Sequence, residues 1–76
     1  MPTVLRHGGF RFYMWPNDHH PPHVHVEYAS AVAVIDIERL AVRGKPTMRA
    51  PDIARATALV LENTDLLLDH WRKLHA

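Results

Sequence analysis

The hydrophobic period changes once along this chain, and that change limits the fold more than any single motif. As far as Asp36 apolar residues recur at every second position, the period of a strand with one face buried; beyond Pro51 they recur at every third or fourth, the period of a helix. In "VLRHGGFRFYMW" Gly8 and Gly9 separate two β-rich runs, which predicts a tight hairpin with glycine supplying positive φ. The strand after it places Phe10, Phe12 and Met14 on one face and Arg11 and Tyr13 on the other. "PNDHHPP" breaks the alternation, because each proline fixes its own φ and pushes the preceding residue towards extended geometry. "HVHVEY" then predicts a strand with Val24, Val26 and Tyr28 inward and His23, His25 and Glu27 outward. After a turn at "AS", "AVAVIDI" is apolar on both faces until Asp36, which predicts cover on both.

Residues 38–50 carry Arg39, Arg43, Lys45 and Arg49 with no acidic residue after Glu38. The segment is expected as a basic connector. A solvated loop explains it; as a functional patch, Arg43, Lys45 and Arg49, with Tyr13 to stack a base, are the nucleic-acid-binding candidates. From Pro51, tolerated in a first helical turn, Ile53, Ala56, Val60, Asn63, Leu67, Trp71 and Leu74 recur at helical steps. The spacing predicts one helix over 51–75, about 24 residues and roughly 36 Å long. Such a helix outruns a strand of about 20 Å. Leu59, Leu61, Leu66 and Leu68 widen its apolar surface, so self-association as a homodimer or docking of a small partner protein is expected. A break at "ENTD", residues 62–65, is the competing arrangement. The expected fold is α+β, a single domain over 1–76: an antiparallel meander of about four strands within 3–37, then the connector, then one long C-terminal helix packed on one face.

Composition excludes several classes. A chain of 76 residues makes one modest core. With no cysteine, neither a disulfide nor a thiolate zinc cluster can form, so a metal would need imidazole and carboxylate ligands. Nine Lys and Arg against eight Asp and Glu leave a charge of +1, too little for a strong overall nucleic-acid field. No apolar run approaches the ~20 residues of a membrane span, and "MPTVLRHGG" lacks a signal-peptide core. A cytoplasmic protein without membrane contact is the expectation.

Four of the seven histidines fall within "NDHHPPHVHV". Residues two apart on a strand lie roughly 6.6 Å apart and point the same way, so His23 and His25 can converge on one ion or one substrate group. As metal ligands they need a third donor, from Glu27 on the same face or from Asp18, His19 or His20 in the loop. Without metal, His23 and His25 suit an acid and a base for cleavage of RNA by its own 2′-hydroxyl, with Arg11 on the phosphate if its strand pairs with theirs. The plainest explanation is an ordinary half-exposed strand. Three functions follow: an RNA-directed component with catalytic His23, His25 and Arg11; a non-enzymatic module docking a partner through its helix; and a divalent-metal protein using His23, His25 and Glu27. His7, His70 and His75 look like surface residues.

"MPTVLR", Gly9 with "FRFYMW", "NDHHPPHVHVE" and "LENTDLLLDHW" together resemble a family of small bacterial proteins of unknown function, recognised by a PTVLR-type start and a PPHVHV motif. The resemblance spans nearly the whole chain, and its matching positions are Pro21, Pro22, His23, His25, Glu62, Asn63 and Trp71. It implies a genomic setting like a toxin–antitoxin pair, with a partner protein from an adjacent gene, and no particular chemistry. The chain departs from the family in "AVAVIDI", plainer than the charged and tryptophan-bearing strand of relatives, and in "RGKPTMRAP", which lacks their helix-capping serine.

Overall fold

Alternation in the first half of the chain becomes an antiparallel sheet whose two faces differ in character. The structure, a computed structural model, describes residues 3–76; the first two letters of the N-terminal motif lie outside the described residues. Strands β1 (Thr3–His7), β2 (Phe10–Tyr13), β3 (His23–Tyr28), β4 (Ala31–Asp36) and β5 (Ala41–Arg43) pair in sequence order, and α1 (Ala50–Glu62) and α2 (Thr64–Leu74) follow. This is the expected α+β meander with one strand more. Gly8 and Gly9, at φ 55° and 84°, make the first hairpin turn as predicted. Ala29 and Ser30 hold the same left-handed geometry, at φ 50° and 69°, in the turn between β3 and β4.

One face of the sheet carries Phe10, Phe12, Val24, Val26, Ala33 and Ile35, buried beneath Ala56, Val60, Leu67 and Trp71 of the helices. Each large side chain there contributes on the order of 1.5–3 kcal/mol by leaving water. Tyr28 stacks on Phe10 with ring centroids 4.3 Å apart, and the Arg55 guanidinium lies over both rings, joining the first turn of the sheet to α1. The opposite face is the more open one. Val32 is exposed and Val34 half-buried there, so the cover expected on both sides of β4 exists on one side only.

Two expectations need correction. The segment expected as a connector over 38–50 contains β5, whose Val42 and Arg43 pair with Ile35 and Val34. It is positioned by a tight turn in which Asp36 accepts hydrogen bonds from the backbone N–H groups of Glu38 and Arg39, at 3.0 and 2.8 Å, and Leu40 takes a positive φ. The single helix over 51–75 is two. Asn63, at φ −121° and ψ 24°, ends α1 and occupies the N-cap position of α2 without a side-chain capping bond. Its Nδ2 donates to the Leu59 carbonyl at 2.8 Å, and Thr64 Oγ1 donates back to Val60 and Leu61. Such bonds compete with the helical ladder and break it without disturbing the apolar stripe, since Val60, Leu67 and Trp71 all stay buried. Leu61 and Leu66 remain exposed. No helix among the described residues is long and apolar enough to cross a membrane.

Candidate functional site

Register decides what shares the open face. Tyr13 lies opposite His25, His25 opposite Val34, and Val34 opposite Arg43, so one row of residues crosses four strands. The neighbouring row sets Arg11 opposite Glu27 and Val32. β2 and β3 are therefore neighbours and Arg11 does share the histidine-bearing face. Its partners are Glu27, whose Oε1 accepts from Arg11 Nη2 and Nε at 2.9 and 3.1 Å, and the Tyr13 ring, 4.4 Å from its guanidinium carbon. Tyr13 in turn stacks on His25 at 5.1 Å.

With Glu27 held by Arg11, the carboxylate beside the histidines is Asp18. The turn over residues 15–18 aims it there: the Trp15 N–H donates to Asp18 Oδ2 at 2.9 Å, and the Asp18 N–H donates to the Trp15 carbonyl at 3.1 Å. This carboxylate stands between the two imidazoles, with Oδ2 3.2 Å from His25 Nε2 and Oδ1 3.6 Å from His23 Nε2. Burial would raise the Asp18 carboxyl, but the Trp15 N–H and the charges of His25 and His23 outweigh it and hold the group below its ordinary value. Asp18 is thus an anion at neutral pH.

The histidine rings meet edge to face, 5.6 Å apart. His23 is the more buried of the two. Its ring packs against Trp71 at 5.1 Å, and His20 touches the same indole at 5.5 Å. Two groups compete for His23 Nδ1, the Pro21 carbonyl at 2.9 Å and Arg43 Nη1 at 2.9 Å. A protonated Nδ1 donates to Pro21; an unprotonated one accepts from Arg43. One tautomer cannot satisfy both.

Asp18, His23, His25 and Arg43 wall a cleft of about 430 Å³ at one end of the open face, completed by Asn17, His19, Val34 and Gly44. The ligating atoms of Asp18, His23 and His25 all lie within 4.8 Å of one another. Tetrahedral ligands at about 2.0–2.1 Å from a zinc ion stand roughly 3.3 Å apart. Measured from the single oxygen Asp18 Oδ1, His23 Nε2 lies 3.6 Å and His25 Nε2 3.5 Å away, close to that spacing, and the donor set of two imidazoles and a carboxylate suits a divalent first-row metal.

Of the residues expected to contact nucleic acid, Arg43 lines this cleft and Tyr13 borders it through His25. Arg49 pairs with Asp52 at the start of α1, 3.3 Å away, and Lys45 lies exposed between β5 and α1. Sequence reasoning named Asp18 only as one of several loop donors, and it missed both the contact of Arg43 with His23 and the packing of His23 on Trp71. The family model described as "Domain of unknown function (DUF4160)" matches residues 9–72. The chain belongs to that family. No curated protein and no solved structure matches it. Every residue of the DUF4160 cleft named above falls inside the matched span.

Proposed function

We propose that this DUF4160 chain is a divalent-metal-binding protein, with Asp18, His23 and His25 as the ligands. The observation that carries the reading is the ionised Asp18 carboxylate lying between two imidazoles within one atom's reach of each. Two imidazoles, which ligate a metal in their neutral form, around a carboxylate are the donor set of a cation site. Three protein ligands leave at least one coordination position towards the cleft, the pattern of catalytic rather than structural zinc sites. The Pro21 carbonyl is placed to accept the Nδ1–H that His23 would carry with Nε2 on a metal, the tautomer that turns the Nε2 lone pair towards Asp18.

A metal-free role on RNA, with His23 and His25 as acid and base and Arg11 on the phosphate, asks for an anionic phosphate between the two rings. Asp18 already supplies negative charge there, and Arg11 is engaged by Glu27. Charge therefore favours the cation.

Calorimetric titration of tag-free, chelator-treated protein with zinc chloride tests the proposal. One zinc per chain is expected at micromolar affinity or tighter, weakened at least tenfold in Asp18→Ala and His25→Ala and unchanged in His70→Ala. Binding no tighter than millimolar in the unsubstituted protein overturns it, and RNA cleavage by the chelator-treated protein would restore the acid–base reading.

A further inference from the structure

The two claims on His23 Nδ1 point beyond the metal. If Nε2 ligates an ion, Nδ1 must carry the ring proton, because a neutral imidazole has one N–H and one lone pair. That proton donates to the Pro21 carbonyl, 2.9 Å away, and Arg43 Nη1, also 2.9 Å away, loses its acceptor. We infer that Arg43, released from His23 when the metal binds, holds the phosphate group of a small phosphate monoester against the metal's open position. This inference rests on the cation reading above.

Charge and geometry carry it together. With Asp18 ionised and both imidazoles in the neutral form that ligation requires, a bound divalent ion leaves the cluster at +1; the adjacent guanidinium brings the mouth of the cleft to +2. A phosphate monoester dianion balances that charge, and a carboxylate balances half of it. Arg43 reaches the cleft from β5, across Val34 from His25, and is otherwise exposed, so its fork of donors is open on the solvent side. Guanidinium presents paired N–H donors matching two phosphate oxygens, while the metal takes a third. Before the ion binds, the same cleft resists an anion twice over, through the Asp18 carboxylate and through the engagement of Arg43 with His23. One event removes both obstacles. Metal first and phosphate second is the order the geometry sets.

Phenyl phosphate titrated into zinc-saturated and chelator-treated protein, followed by calorimetry, is the test, with benzoate as the carboxylate arm. Phenyl phosphate is expected to bind the zinc form at least tenfold more tightly than the zinc-free form, and at least tenfold more tightly than benzoate does. Arg43→Ala should lose at least tenfold in phenyl phosphate affinity while binding zinc at least as well as the unsubstituted protein, since a competitor for His23 is gone. Arg43→Lys, which keeps the charge and loses the fork, should fall between the two. Circular dichroism checks that both variants are folded, as expected for a change at an exposed position. Zinc binding with no effect of Arg43→Ala on phenyl phosphate, or with equal affinity for benzoate, overturns this inference and leaves the metal site standing. Absence of zinc binding overturns both.

Discussion

The two faces of the sheet use the same strands for opposite ends. On the helix-covered face Phe12, Val24, Val26 and Ile35 are fully buried, and no polar group interrupts them. One residue along in each strand, Arg11, Tyr13, His25, Glu27 and Arg43 lie on the more open face, over which the turn bearing Asp18 reaches at His25. A period-two backbone lets a small domain separate stability from chemistry at single-residue resolution. Its core can be continuous because its polar residues have a face of their own. The separation predicts that substitutions one residue apart have effects of different kind and size.

Phe12→Ala should break the covered face most severely. Deleting a fully buried ring costs about 3–5 kcal/mol, a large share of what a domain of this size holds. Denaturant unfolding should show a midpoint shifted far towards zero. The neighbouring Tyr13→Ala, which removes stacking on His25 and the Arg11 contact at the open face, should cost about 1 kcal/mol. Equal losses at the two positions would mean that the open face is covered in solution, as by a second copy of the chain.

The next effect comes from the open face alone. A ligand that binds only the folded state at one hundred times its dissociation constant stabilises by about 2.7 kcal/mol, so zinc should raise the unfolding free energy of the unsubstituted protein by that amount and its midpoint with it. His25→Ala should show no such rise while keeping nearly the stability of the metal-free protein. A large loss of metal-free stability would place His25 in the structural half of the comparison.

Asp36 tests the boundary between the halves. It lies on the open-face parity of β4, opposite His23, yet its carboxylate is buried and spent on the turn that starts β5. Removing it in Asp36→Ala leaves two N–H groups unpaired and should cost about 2 kcal/mol. Burial raises this carboxyl, but hydrogen bonds from the backbone and side chain of Arg39 and from the Glu38 N–H outweigh it, so the folded value lies below the ordinary 3.8. The unfolded chain therefore takes up the proton first. The associated stability is present above pH 3.8 and is lost as pH falls through the folded value; Asp36→Asn should lack that component in an acid unfolding series.

Much of this was legible in the sequence where one residue's side chain reports on its own strand. Alternation gave the faces of β2 and β3, and the glycine pair gave the first turn. β5 was illegible because three residues, Ala41–Arg43, are too few to display a period. The helix break at "ENTD" was legible only as the competing arrangement, for another reason: Asn63 sits on the apolar stripe's own spacing, and the side-chain bonds of Asn63 and Thr64 leave that stripe intact. Parity within β3 placed His23 and His25 together and pointed equally to Glu27. Only the register with β2 gives Glu27 to Arg11, and only the turn at Trp15 returns Asp18 over the strand. Those are relations between distant segments, which spacing along one segment does not encode.

Glu27→Gln, the smallest expected effect, bears most directly on that last distinction. Its ion pair with Arg11 is partly exposed, with 40% of the Glu27 side chain open to solvent, and pairs of this kind contribute about 0.2–1 kcal/mol. Arg11 keeps its contacts with Thr3 Oγ1 and the Tyr13 ring, so the loss should fall at the low end. Zinc affinity should not change, since Asp18 is the carboxylate between the imidazoles. A tenfold weakening of zinc in Glu27→Gln, with Asp18→Ala silent, would mean that the ion draws Glu27 away from Arg11 on binding. Strand parity would then have named the third ligand correctly, and the metal-free register would be the misleading observation.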